Sequence, residues 1–286
     1  MASSPSHAPA VVATGKRGFF EAGRVRLSYV DFGGAPDAPV LAALHGHFGC
    51  ARNFAPLAEA LRPLGWRVAA LDQRGHGWSD RPEACDREDY LRDAEQFVLR
   101  IGGGGPVALL GHSLGGVNAY QLAARRKDLV GALIVEDIGA RIEPVAPLGL
   151  DWPRAFPSLS HALAFLDSRG FAGDRYFLDS LHETESGWTF RFDPAWMARS
   201  QAALTGDWSG DWTASGCPCL LLHGRKSWAV GAGEIERMAR IRPGTRVVAF
   251  DCGHTIHDEL SGDFAAAVAL FLSQLPGHPV HDPAAC

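Results

Sequence analysis

Near its start the chain alternates apolar Val25, Leu27 and Tyr29 with polar Arg24, Arg26 and Ser28. A two-residue period of this kind predicts an antiparallel hairpin with one face in water. Later runs differ in character: 40–46 (VLAALHG), 66–72 (WRVAALD), 106–112 (PVALLGH), 131–137 (GALIVED), 219–224 (CLLLHG) and 245–251 (TRVVAFD) are almost continuously apolar. Such runs suit strands covered on both faces, as in a parallel sheet. Helical patterns fill the gaps over 53–62, with Asn53 as its cap, and over 86–101, 114–126, 233–241 and 262–275. Strands alternating with helices predict an α/β fold, with a mostly parallel eight-stranded sheet flanked by helices.

One segment breaks the alternation. Residues 139–214 carry Trp152, Trp188, Trp196, Trp208 and Trp212 and no clear buried strand. That length exceeds a simple connection, so it is expected to be a helical insertion after the sixth strand, packed as a lid over a pocket. The expected organisation is a core of 17–138 and 215–275, a lid of 139–214, and Pro-rich tails at 1–16 and 276–286.

Composition narrows the functional classes. Of 286 residues, 47% are hydrophobic and 21% charged, enough apolar surface for one large core, and the formal net charge is -5. Scattered Lys and Arg with a net negative charge argue against nucleic acid as a partner. No run approaches the roughly 18 apolar residues of a membrane helix, and the start lacks the apolar segment of a secretory signal, so a cytoplasmic protein without a membrane partner is expected. The six cysteines are widely spread with no CxxC pair, which suggests neither disulfides nor a zinc ribbon. Monomer and homodimer both remain open.

The chemistry concentrates in three places. In Gly111-His112-Ser113-Leu114-Gly115 an apolar strand ends and a helix begins at once, the setting in which G-x-S-x-G presents a serine nucleophile. Glycines two residues either side of Ser113 remove side chains that would collide in so tight a turn. Ser113 needs a base, and His254 follows the last apolar run, on the same sheet edge. His254 and His257 form H-x-x-H, but without the i, i+4 spacing and glutamate of a zinc-protease helix, so no metal is expected. A tetrahedral intermediate needs two N–H donors: the backbone of Leu114, and that of His47 in His45-Gly46-His47-Phe48-Gly49.

The third catalytic partner is less direct. In the α/β-hydrolase fold family that these motifs resemble, an acid usually follows the seventh strand; here Ser227 stands at that position, while Glu136-Asp137 end the sixth on the same edge. The assignment is Asp137 as the acid and Ser227 as a supporting hydrogen-bond partner, with Glu136 as the alternative acid, since alternation lets only one of the pair face the site. Asp72, Arg74 and His76 in the loop after the fourth strand are expected to brace the oxyanion loop rather than react.

These motifs resemble the α/β-hydrolase fold family across about residues 18–275. Within it the chain looks most like small bacterial and mitochondrial acyl esterases, in which an H-G-x-F-G loop, a V-D-I turn after strand six and a serine after strand seven occur together. Val135-Glu136-Asp137-Ile138 and Ser227 match that pattern, so the resemblance also implies Asp137. It departs at His47, where such esterases usually carry an apolar residue. The expected activity is hydrolysis of an ester or lactone without cofactor; the aromatics of the lid, not the resemblance, suggest a hydrophobic small molecule, with Phe48, Trp152 and Trp228 as substrate-binding candidates. A carbon-carbon bond hydrolase, a haloperoxidase-like relative and a noncatalytic binding protein are the alternatives.

Overall fold

The computed structural model describes residues 15–171 and 173–276; apart from residues 15, 16 and 276, the expected tails lie outside the described residues. The apolar runs form the strands of one sheet: β1 (Lys16–Ala22), β2 (Val25–Asp31), β3 (Val40–Leu44), β4 (Arg67–Asp72), β5 (Val107–His112), β6 (Val130–Glu136), β7 (Cys219–Gly224) and β8 (Thr245–Phe250). Their order is β1-β2-β4-β3-β5-β6-β7-β8. The pairs β1/β2 and β2/β4 are antiparallel and the remaining pairs parallel. All parallel strands therefore end on one edge, where the loops that carry chemistry gather.

The described residues form ten α-helices besides short 3-10 turns: α1 (Ala55–Leu61), α2 (Arg87–Ile101), α3 (Leu114–Arg125), α4 (Leu159–Ser168), α5 (Arg175–Leu178), α6 (Pro194–Leu204), α7 (Ser209–Ala214), α8 (Ala232–Ile241), α9 (Ile256–Glu259) and α10 (Ser261–Ser273). Phe54, Leu57 and Leu61 beside α10's Val268 and Phe271 bury one face of the sheet. Tyr90 and Phe97 of α2, Val117 and Tyr120 of α3 and Met238 of α8 bury the other. None of these helices is long and apolar enough to cross a membrane.

Three local expectations change. Asn53 does not cap the first helix: Cys50 takes that position ahead of a 3-10 turn, and Asn53 Oδ1 accepts the Cys50 N–H at 2.7 Å. Ser28 is not on a wet face but fully buried, because the loop after β4 closes over it: its hydroxyl donates to Asp72 at 2.6 Å and its N–H to Ser79 at 2.8 Å. The insertion is not wholly helical: Arg141–Ile142 pairs with Gly206–Asp207, and Leu181–Thr184 with Gly187–Phe190. These strands are two to four residues long, too short to leave a periodic signal. The insertion's Trp152, Trp196 and Trp212 join the same apolar cluster as α2, α3 and α8 rather than a core of their own.

Backbone packs closely at the turn between β5 and α3. A Cβ on Gly111 would lie 2.0 Å from the carbonyl oxygen of Gly115, and one on Gly115 would lie 2.1 Å from that of Leu44. Backbone cannot yield as a side chain does, so Gly111→Ala is expected to cost about 1–3 kcal/mol, read as a lower urea midpoint. An unchanged midpoint would contradict this packing.

Candidate active site

Ser113 is the single residue between the end of β5 and the first residue of α3, and the turn forces it to φ 52°, ψ -118°. A non-glycine residue there is strained and must be held. Its N–H donates to the Glu136 carbonyl at 3.0 Å, and its carbonyl accepts the Gly116 N–H at 2.8 Å. The N-terminus of α3 lies directly beneath it, where a helix favours negative charge.

His254, in the loop after β8, lines the same cavity as Ser113, a space of about 540 Å³. Its Nδ1 lies 2.7 Å from Oδ2 of Asp137. Asp137 is fully buried at the end of β6, also with a positive φ of 52°. Its Oδ1 accepts the Gly224 N–H at 2.8 Å and faces His223 Nδ1 at 3.1 Å. The structure thus brings Asp137 and His254 together from the ends of β6 and β8, the two strands that flank β7. Ser113 Oγ makes no hydrogen bond among the described residues, although it shares the cavity with the ring.

Two sequence expectations find other partners. Ser227 does not support His254: its Oγ accepts the Ala229 N–H at 3.0 Å, shaping the turn after β7. The support for Asp137 comes from His223 and Gly224, because the parallel pairing of β7 with β6 sets those residues beside it. Glu136 faces the opposite side, as strand alternation requires. It accepts the His257 N–H at 2.9 Å and holds His257 Nδ1 at 2.8 Å, and makes no bond to His254.

The backbone N–H groups of His47 and Leu114 have no acceptor among the described residues; Leu114 follows Ser113 in the chain, and His47 lines both cavities that Ser113 lines. Phe48 in the same loop is the third non-glycine residue with positive φ, at 69°. The insertion holds this loop. Tyr176 donates to the His47 carbonyl at 2.9 Å and Ser180 to the Phe48 carbonyl at 2.7 Å. The His47 ring, which sequence reasoning left idle, bonds Ser200 of α6 at 2.9 Å, and Ser200 in turn bonds Tyr90 at 2.7 Å. Burial, helped by the charge of Arg87, drives His47 down to about 3, so the ring is neutral.

Behind the loop, Asp72 accepts the Ala51 N–H at 2.8 Å and Arg74 forms a two-bond pair with Asp93. His76 is buried, with Nδ1 on the Arg74 carbonyl at 2.9 Å. Phe48 lines the cavity shared with His254, and its ring stacks on Trp152 at 5.5 Å. Trp152 is buried and reaches a second cavity, of about 750 Å³, that also meets Ser113. Trp228 borders both cavities, is 68% exposed, and sits 4.9 Å from the His254 ring.

The residues that sequence reasoning missed are mostly histidines. His112 lies 4.6 Å from the His254 ring, and its Nε2 donates to the His254 carbonyl at 3.0 Å. Among the described residues, His112, Glu136 and His257 are the group whose donor atoms, all within 4.8 Å of one another, could hold a metal ion. Glu136 is already engaged twice by His257 there. The only advance signals were the H-x-x-H spacing and a histidine inside G-x-S-x-G.

The family profile of the alpha/beta hydrolase fold matches residues 39–175. The chain is 30% identical over 264 residues to the sn-1-specific diacylglycerol lipase ABHD11 of Mus musculus, spanning 86% of this chain and 85% of that protein. It belongs to the α/β-hydrolase family. This α/β hydrolase is also 28% identical over 237 residues to 2-(acetamidomethylene)succinate hydrolase of Mesorhizobium japonicum, spanning 79% of this chain and 84% of that one. A crystal structure of E-2-(acetamidomethylene)succinate hydrolase matches with a TM-score of 0.80 at 25% identity, over 90% of this chain and 99% of that one. An α/β hydrolase of Novosphingobium aromaticivorans matches with a TM-score of 0.77 at 26% identity, over 91% and 98%. These relatives support hydrolase activity for this member of the family.

Burial works against a charged His257, but the charge and hydrogen bond of Glu136 outweigh it and raise the ring above the ordinary 6.5. The pair's contribution to stability is therefore fully present below 6.5 and fades as pH rises through the higher folded value. Glu136→Gln is expected to lower the urea midpoint more at about pH 6 than at about pH 8.5. An equal loss at both would contradict the ion pair.

Proposed function

We propose that this chain is a serine hydrolase that cleaves a carboxylic ester or lactone of a hydrophobic small molecule through an acyl-enzyme on Ser113. The observation that carries this reading is the 2.7 Å bond between Asp137 and the His254 ring, on a ring that shares a cavity with Ser113. Asp137 fixes the proton on Nδ1, which leaves Nε2 as the free base. When a substrate is seated, the Ser113 proton passes to Nε2 and Oγ bonds the acyl carbon. The backbone N–H groups of His47 and Leu114 hold the resulting oxyanion.

The carbon–oxygen bond to the leaving alcohol then breaks, and the alcohol takes the proton from His254. Water repeats the sequence on the acyl-enzyme and releases the acid. The buried Asp137 carboxylate stabilises the imidazolium between the two transfers. The insertion serves as the lid: it supplies much of the apolar wall and, through Tyr176, Ser180 and Ser200, holds the oxyanion loop. An apolar wall of this kind suits acyl groups that water solvates poorly.

Two measurements test the reading. A fluorophosphonate should label Ser113, and Ser113→Ala should abolish both labelling and turnover of aryl esters, a loss of about 10⁶-fold in kcat. Absence of labelling in the wild type would sink the proposal. Asp137→Asn should cost about 10⁴-fold in kcat by holding the wrong tautomer, while Ser227→Ala should leave kcat nearly unchanged. The reverse ranking would remove Asp137 from the role.

A further inference from the structure

We propose that the reacting pair divides the site into two arms, an apolar one for the acyl group and an acidic one for an alcohol that carries a positive charge. The proposal rests on the serine-hydrolase reading and adds the substrate class. Its starting point is that two cavities meet at Ser113 and His47, and only the one of about 540 Å³ is lined by His254. The alcohol must take its proton from the His254 ring, so the leaving group lies on the His254 side. The acyl group then points into the cavity of about 750 Å³, whose wall includes Ile138, Val145, Leu148, Trp152, Leu204 and Val230.

Charge separates the arms. The apolar arm is bordered by residues of both signs, and its arginines are paired: Arg141 with Asp207 and Arg169 with Asp151. The His254 arm is lined by Asp174, Asp258 and Glu259 and by no lysine or arginine. Among the described residues, none of these three carboxylates is within ion-pair distance of a cation. Burial, then the charge of Asp258 and a hydrogen bond with it, push Asp174 up to about 7. His257 partly offsets Asp174 and Asp258 but is already paired with Glu136, so a cation in the cavity relieves these carboxylates further.

One further feature fits the same ligand. Trp228, 68% exposed, borders both arms and stands 4.9 Å from the His254 ring, and an open indole face is a surface on which ammonium groups bind. The His254 arm therefore presents carboxylates and an aromatic face, a set matched by a positively charged leaving group.

The test compares three butyrate esters that differ only in the alcohol: choline, its uncharged isostere 3,3-dimethylbutanol, and an anionic sulfopropanol. With the full chain at about pH 8 and low salt, kcat/KM should favour the choline ester over the isostere by about tenfold and disfavour the anionic ester. Asp258→Asn, and separately Asp174→Asn, should bring the choline-to-isostere ratio toward one, and high salt should do the same in the wild type. Trp228→Ala should lower the ratio without touching a carboxylate. Equal rates on choline and isostere esters in the wild type, or a preference that survives both aspartate substitutions in folded protein, would overturn the inference. If Ser113 takes the fluorophosphonate and the neutral ester turns over without preference, only this inference fails. If Ser113 is not labelled and no ester turns over, the serine-hydrolase reading fails with it.

Discussion

The carboxylate of Asp137 is the contact on which the rest of the site depends. It is fully buried, and a buried charge is tolerated only when its acceptor positions are filled. Here the loops after three adjacent strands converge on it: β7 supplies the Gly224 N–H and His223, and the loop after β8 supplies His254. Removing any one leaves the charge short of a partner. The same contacts that satisfy the carboxylate therefore fix the relation between β6, β7 and β8, and with it the orientation of the His254 ring.

Strain is distributed by the same logic. Among the described residues, the non-glycine positions with positive φ are Phe48, Ser113 and Asp137, all at this site. Each is held by contacts outside its own turn: Ser113 through the Glu136 carbonyl, Asp137 through the Leu222 carbonyl, and Phe48 through Ser180. The insertion therefore does more than line the cavities. Its polar side chains stabilise a loop conformation that a free five-residue segment would leave, which ties the geometry around Ser113 to a segment far away in sequence.

Much of this was legible because the signals were local. Continuous apolar runs marked the parallel strands, and the glycines around Ser113 marked a turn whose steric need lies within five residues. Asp137 could be weighed against Ser227 because both end strands on the same edge, and the structure sets Asp137 on the ring and Ser227 on Ala229. Other features depended on pairs distant along the chain. The His47 contact with Ser200 spans 153 positions and the Glu136 contact with His257 spans 121, and no periodicity announces either. Ser28 was misplaced for a related reason: alternation reports which residues share a face, not whether a neighbouring loop will cover that face.

Burial keeps the histidines around His254 from adding charge to the site. His45, His76 and His112 all lie within the buried region under the site, and burial lowers the pKa of each, His45 to about 4 and the others well below the ordinary value. They remain neutral when the proposed mechanism places a proton on His254. This matters most for His112, whose ring is 4.6 Å away and whose charge would oppose that proton directly. His257 is the exception, drawn toward its charged form by Glu136, but that pair is neutral as a unit. The group facing the His254 ring most closely is then the Asp137 carboxylate, at 2.7 Å.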